Sequence, residues 1–330
     1  MHSFFFHFFK KNLFSICLSF LLVSCTVYTK THFNSLTTTS NCNHEAPYSY
    51  TENEMPKPLY MLQLDSAILK RFTLPSLNAA NAIGILPKLE ELFQLKMQQK
   101  SNYTTEQQLN ILSLEQQIQQ RINIASLEVA STASEMDCEE ERADQVGNYL
   151  MGKIDDAKTK LTVGTIAFDA LGAISAGILL INGHSGNATE FIGIGTGLAE
   201  ATLGVLILTK NKKVKFYHPR NALRDIWNGP AVSTIFPSSV WYFLNYKQPG
   251  KNEISLREQL VNKWVSFGQI AVKKPQQKEK VYALYFGNGG TYTAEQLSNR
   301  ANMYDQLESY INLMKQDLRM LNVELEKLGK

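Results

Sequence analysis

The chain has 330 residues, of which 44% are hydrophobic, and a formal net charge of +3 from 33 basic and 30 acidic side chains. Nearly balanced charge gives no strong attraction to a polyanion, so we expect no nucleic-acid partner. A chain of this length can bury a full hydrophobic core in one or two domains.

The first 24 residues have the layout of a secretory signal peptide, with two lysines before an apolar run at 13–23. The run is too short for an ordinary membrane span. It ends in Leu22-Val23-Ser24-Cys25, which resembles the lipobox of bacterial lipoproteins. The resemblance implies cleavage after Ser24 and acylation of Cys25, whose acyl chains would then hold the protein to membrane lipid. An uncleaved anchor with an incidental cysteine is the alternative.

Residues 25–57 predict a flexible tether, because they are rich in Thr, Ser and Asn and lack hydrophobic periodicity. Removal of residues 1–24 takes away two lysines and no acid, which lowers the net charge from +3 to +1. The resemblance to bacterial lipoproteins also implies a rule for sorting between the two membranes, in which an Asp directly after the lipidated cysteine favours the inner membrane. Thr26 stands there, so we expect a lipid anchor in the cell envelope, with the outer membrane favoured over the inner.

Two cysteines, Cys42 and Cys138, remain outside the signal and the lipobox. An exported protein can pair them, which would tie the tether to the helix that follows. Two free thiols are the alternative that stays open. The spacing of Cys and His does not fit a zinc site, and we expect no metal.

The region 58–160 is predicted to be helical, and its second half to be one long amphipathic helix from 104 to 160. Apolar or small side chains recur there three or four residues apart, which is the period of one helix face. These positions are Ile111, Leu114, Ile118, Ile122, Ala125, Val129, Thr132 and Met136. The helix can continue into the next segment. An acidic run at 137–144 is interpreted as a solvated helix face rather than a metal site.

Residues 161–208 form the most hydrophobic stretch after the signal, with arms of 21 and 18 residues around a polar, Gly-rich turn. Each arm has close to the ~20 residues that a helix needs to span a bilayer. Both arms carry faces of small residues that favour close helix packing, and we predict a helical hairpin. The packing positions are Ala173, Gly177, Gly193, Gly197, Ala201 and Gly204.

One acid lies near the middle of each arm, Asp169 in the first and Glu200 in the second. A carboxylate at the bilayer centre costs roughly 2.5–3.5 kcal/mol. Three interpretations stay open: a transmembrane pair that hides the acids, a hairpin buried in a bundle, and an assembly whose acids line a channel. Lysines outside both ends predict a cytoplasmic flank, which conflicts with the export signal.

Residues 209–292 are rich in proline and aromatic side chains and predict a compact α/β cap of short helices, with a strand in VYALYFGNGG. The polar cluster that most resembles a site comprises His218, Arg220, Arg224 and Asp225. No nucleophile motif and no paired acid accompany it, so we expect no catalytic residue and no cofactor.

Residues 293–330 predict a coiled-coil-like helix that Thr293 and Gln296 begin with a capping box. Its heptad-like positions are Leu297, Ala301, Tyr304, Ile311, Met314, Leu318, Leu321, Leu325 and Leu328. The helix should pair with the 104–160 helix or with a second copy of the chain.

Together these patterns predict a mainly α fold: an elongated helical bundle with long amphipathic helices, a hydrophobic Gly-rich hairpin and a small α/β cap. We expect a non-enzymatic, lipid-anchored envelope protein that works through its helical surfaces, as a homo-oligomer or with an envelope partner. A membrane-inserting, pore-forming protein is the alternative, because the layout is similar to that of cytolysin-type α-helical toxins. An envelope hydrolase that uses His218 is a second, weaker alternative.

Overall fold

The computed structural model describes residues 37–98, 103–181, 202, 212–248, 250, 254–270 and 275–329. The chain divides into two units, Met1–Ser35 and Leu36–Lys330, and all described residues belong to the second. These residues are mainly helical with one two-stranded sheet, which confirms the predicted fold class at that level.

The described elements are nine α-helices and two β-strands. In chain order they are α1 (Ser66–Arg71), α2 (Leu74–Ala82), α3 (Leu86–Gln98), α4 (Thr105–Ile181), β1 (Lys213–Tyr217), α5 (Ala222–Asn228), α6 (Ser238–Asn245), α7 (Leu256–Ser266), α8 (Lys278–Phe286), β2 (Gly289–Thr293) and α9 (Ala294–Glu326). Single 3-10 turns lie at Glu52–Glu54, Leu59–Met61, Pro275–Gln277 and Lys327–Gly329.

Helix α4 runs without a break for 77 residues, which is about 115 Å at 1.5 Å per residue. Thr104 and Gln107 begin it by exchanging side-chain and backbone hydrogen bonds of 3.0 and 3.2 Å. All eight positions of the predicted apolar face, from Ile111 to Met136, are buried. The helix includes the first hydrophobic arm, so the predicted continuation into residues 161–181 is confirmed.

Helix α9 packs along α4 in the antiparallel direction. A Cβ at Gly147 of α4 would lie 3.3 Å from Leu297 Cβ near the start of α9, and Ile118 and Val323 line one groove at the other end. The Thr293 hydroxyl accepts from Gln296 N at 3.2 Å, as the capping box predicts. Of the two partners that the sequence left open for α9, the structure shows α4.

The cap is attached through the β1–β2 sheet, in which Phe216 pairs with Gly290. Gly289 has a φ of 99°, and a Cβ there would lie 2.2 Å from the Phe216 carbonyl oxygen, so this position needs glycine. β2 leads directly into α9, which fixes the sheet to the start of that helix.

The strand predicted in VYALYFGNGG is wrong for its first six residues. Residues 281–286 belong to helix α8, and the strand begins only at Gly289. Aromatic and β-branched residues favour strands only where a partner strand is present. Here they pack as a helix against α5, with the rings of Trp227 and Phe286 stacked at 4.6 Å.

The hairpin is described only in part. Asp169, Ala173 and Gly177 lie in the helical backbone of α4, and the second arm, with Gly193, Gly197, Glu200, Ala201 and Gly204, lies outside the described residues. In the part of the chain that the structure describes, no helix combines the length and the apolarity that crossing a bilayer demands.

The contact between α4 and α9 predicts a large cost for truncating its buried side chains. Leu307 is fully buried in α9, and Leu307→Ala should lower the free energy of unfolding by about 2–5 kcal/mol, through lost transfer energy and a cavity. Urea unfolding followed by far-ultraviolet circular dichroism measures this change in the free energy of unfolding. Asn302→Ala, at an exposed position of the same helix, is the control. Equal effects of the two substitutions would contradict the packing.

Candidate functional site

The first feature that joins distant parts of the chain is a disulfide between Cys42 and Cys138. Their Cα atoms lie 5.5 Å apart although 96 positions separate them in the sequence. The bond fastens the segment 40–57, called the strap below, to the middle of α4.

Hydrogen bonds from successive turns of α4 hold the strap on either side of the disulfide. Ser40 Oγ donates to Glu139, and Asn43 Nδ2 donates to Glu135 Oε2 at 2.5 Å. Ser131 Oγ donates to Glu45 Oε1 at 3.2 Å. The acceptors Glu135 and Glu139 are themselves buried.

The strap also contacts the cap and the short helices. Tyr48 N donates to the Thr234 carbonyl at 3.0 Å, and Asn81 Nδ2 donates to the Lys57 carbonyl at 2.8 Å. The predicted flexible tether at 25–57 therefore does not hold for residues 40–57. The physical reason is that its polar side chains find partners on α4 and the cap, which a composition-based prediction does not take into account.

Two arginines connect α4 to the cap, Arg220 through a partly buried ion pair and Arg142 through a carbonyl group of β1. Arg220 donates to both carboxylate oxygens of Glu135, at 2.6 and 3.1 Å, and to the Ile235 carbonyl at 3.3 Å. Arg142 donates to Glu139 Oε2 at 2.8 Å and to the carbonyl of Tyr217 in β1 at 3.2 Å. Glu135 thus holds the strap and the cap at once, and Glu139 holds the strap and Arg142.

His218 follows β1 and is completely buried. Its Nε2 lies 2.8 Å from the Tyr292 hydroxyl, which donates its own hydrogen to the Leu284 carbonyl at 2.6 Å. Nε2 therefore carries the proton, and Nδ1 has no hydrogen-bond partner among the described residues. Burial, reinforced by the charge of Arg300, lowers the pKa of His218 to about 2. The imidazole is neutral at ordinary pH.

The two glutamate–arginine pairs, His218 and the residues around Arg300 are called the polar layer below. Arg300 of α9 is fully buried. Its guanidinium donates to the Tyr285 carbonyl at 3.1 Å, to Asn221 Oδ1 at 3.3 Å and to the Tyr304 hydroxyl at 3.2 Å. The Asn221 side-chain amide also donates to the Tyr285 carbonyl, at 2.9 Å, so Asn221 and Arg300 share this acceptor. Sequence reasoning missed Arg300, because a single arginine beside heptad positions looks like an ordinary surface residue.

Asp225 lies apart from these contacts and accepts a hydrogen bond from Ser233 Oγ at 2.6 Å. Burial raises the pKa of its carboxyl group, although the Ser233 bond acts in the opposite direction. Arg224 Nε lies 3.8 Å from the Asp225 carboxylate. The structure therefore divides the predicted polar cluster: Arg224 and Asp225 pair with each other, whereas His218 and Arg220 face separate partners.

The polar layer is suited to fastening elements together. Arg142 and Arg220 are paired with glutamates, and Arg300 donates to three neutral oxygens. The His218 imidazole is buried, and the Ser233 hydroxyl donates to a carboxylate rather than to a histidine. Within the described ranges, no group of three or more His, Cys, Asp or Glu side chains is placed to hold a metal ion. Ser24 and Cys25, the predicted cleavage and lipidation residues, lie outside the described residues.

Comparisons with known proteins find no relative of this chain. No protein-family model matches the chain, and neither does any curated protein or any solved structure.

The disulfide predicts a redox-dependent stability. It closes a loop of 96 positions, so loss of the bond in a Cys42→Ser, Cys138→Ser double variant should lower the free energy of unfolding by about 2–5 kcal/mol. Urea midpoints measured with and without dithiothreitol check this. Reductant should lower the midpoint of the natural chain to that of the variant and leave the variant unchanged. A natural chain indifferent to reductant would refute the pairing.

His218 predicts a loss of stability in acid. The folded protein keeps this imidazole neutral, since its pKa is lowered to about 2, whereas the unfolded chain takes up a proton below about pH 6.5. Protonation of His218 on unfolding therefore does not change the free energy of unfolding above pH 6.5. Below pH 6.5 it lowers this free energy by about 1.4 kcal/mol per pH unit, or roughly 2 kcal/mol by pH 5.

Urea unfolding at pH 7.5 and pH 5 tests the effect of the buried imidazole. His218→Phe should reduce the pH-dependent loss by about 2 kcal/mol, even if its stability at pH 7.5 is lower because the Tyr292 hydrogen bond is gone. His44→Gln, at an exposed position, should keep the full loss. The same pH dependence in all three proteins would show that His218 does not titrate on unfolding.

Proposed function

We propose that the protein is an exported, lipid-anchored and non-enzymatic component of the cell envelope that acts through its helical surfaces. Its partner-binding part is the apolar hairpin 161–208, whose two arms pack through the small faces of Ala173 and Gly177 and of Gly193, Gly197, Ala201 and Gly204. In this proposal Cys25 carries the lipid, and Asp169 and Glu200 lie within the packed arms.

The continuity of α4 is the observation that carries the proposal. Leu150 and Ile154 of α4 still pack on Ala294 and Val214, and the helix then continues to Ile181. Those 27 further residues cover about 40 Å at 1.5 Å per residue. Val163 and Ile166 on this extension are 59% and 63% exposed. An exposed apolar helix needs another surface to cover it, which favours a binding role.

The disulfide supports export. Disulfides form and persist mainly in oxidising compartments, such as the bacterial periplasm and the cell surface. A Cys42–Cys138 bond that joins two distant segments agrees with the export that the first 24 residues imply.

The buried polar layer supports a non-enzymatic role over the hydrolase alternative. A general base must reach a substrate proton directly or through one water, and His218 is completely buried against Tyr292. Its lowered pKa also opposes the protonated form that an acid catalyst needs.

Site-specific photo-cross-linking in intact cells tests the proposed binding surface. A photoreactive residue at Val163 or Ile166 should give one discrete adduct with a second copy or with one envelope protein. The same group at Leu127, which is 70% exposed on the same helix, should not. Gly197→Leu should abolish the adduct, because a larger side chain separates the arms. Equal cross-linking from Leu127 would contradict a role for the hairpin.

Two further measurements separate the anchor from the pore-forming alternative. Metabolic labelling with an alkyne fatty acid should mark the natural chain, and a Cys25→Ser variant should lose the label. Purified Cys25→Ser protein should leave dye inside liposomes. Dye release that Gly197→Leu prevents would instead support a membrane-inserting protein and refute a purely structural role.

A further inference from the structure

A cavity of about 1000 Å³ opens between α1, α3, α4 and the 3-10 turn that follows α9. Each of the three helices turns the same kind of face towards it, with residues at i, i+3 and i+4. The faces are Ala67, Lys70 and Arg71, then Phe93, Lys96 and Met97, then Gln108, Ile111 and Leu112. None of these residues belongs to the polar layer or to the strap.

Part of the lining is apolar and partly open to solvent. Phe93 and Ile111 are buried and form its inner surface, whereas Met97 and Leu112 are 57% and 60% exposed. A ligand that covered Met97 and Leu112 would remove apolar surface from water, which stabilises the bound state.

Four of the described lining residues are cationic. Lys70, Arg71, Lys96 and Lys327 line the cavity, and none of its described lining residues is an acid. Lys96 is paired with Glu115, outside the lining, and the Arg71 guanidinium donates to the Lys327 backbone carbonyl, which joins α1 to the 3-10 turn. Lys70, Arg71 and Lys327 leave the site with a net positive charge.

We propose that this cavity binds a single-chain anionic amphiphile. The acyl chain lies against Phe93, Ile111 and the exposed pair Met97 and Leu112. The anionic head group, a carboxylate or a phosphate, is held by Lys70 and Lys327 through charge-assisted hydrogen bonds. The volume lies at the upper end of the range of about 300–1000 Å³ for small-molecule sites, so the cavity admits one such molecule.

The mixture of charge and apolar surface selects this ligand class. A neutral hydrocarbon would gain no interaction with Lys70 and Lys327, and an inorganic anion would leave Met97 and Leu112 in water. An amphiphile with one chain satisfies both parts. This proposal does not depend on the proposed binding by the hairpin.

Photo-labelling of the full chain in phosphatidylcholine nanodiscs, with a diazirine-bearing palmitic acid as the probe, tests the site. Peptide mapping by mass spectrometry should place the adducts on α1, α3 and the start of α4. Oleate or lysophosphatidic acid should compete, and whichever competes at the lower concentration identifies the head group. Monooleoylglycerol, which has the same chain without the charge, should be about tenfold weaker, as expected for one lost charge-assisted hydrogen bond.

Two variants with matched controls locate the binding. Lys70→Glu with Lys327→Glu should lower labelling about tenfold or more, whereas Lys88→Glu with Lys280→Glu, at two exposed lysines outside the lining, should not. Met97→Trp should block the cavity, and Leu127→Trp should not. Adducts elsewhere on the chain, equal competition by the neutral lipid, or equal effects of variants and controls would overturn the proposal.

Discussion

The antiparallel contact between α4 and α9 is the interaction on which the other described elements depend. It buries an apolar row on each helix, and its ends are marked by Gly147 against Leu297 and by Ile118 beside Val323. β2 enters α9 without a linker, and the strap is fastened to α4. If the two helices separated, the sheet and the strap would lose the surface on which they are built. Burial along this contact is therefore the main stabilising term.

Apolar rows alone fix the axial position of two helices weakly, because neighbouring registers bury similar areas. The polar layer distinguishes the correct register, since Arg300 of α9 and Arg142 of α4 both bind carbonyl groups of the cap. Burying these charges costs desolvation energy, so their net contribution to stability is small. Any shifted register would leave them buried without partners, which is strongly unfavourable. The layer therefore contributes specificity, while the helix contact contributes stability.

The features predicted correctly from the sequence are those that depend on the spacing of nearby residues. The apolar spacing of α4, the capping box at Thr293 and the passage of α4 into the first arm are all local signals, and the structure has each of them. The strap was missed because its contacts join residues 99 positions apart, as in Ser40 with Glu139. The helix at 281–286 was missed because strand propensity is a weak guide when no partner strand is near. Arg300 was missed because burial depends on what packs over it.

An unbroken α4 links the first apolar arm to the turns that hold the strap and the cap. Helix α4 contains no proline, a residue that commonly kinks long helices. A rotation or shift of the arm near Ile181 would therefore reach the turns at Glu135 and Glu139, where the strap and the cap are held. The polar layer opposes such a movement, because any shift breaks several buried hydrogen bonds together. The disulfide at Cys138 adds a covalent restraint at the same turns. Rigid fastening in the middle of the helix thus gives the apolar arm a fixed base.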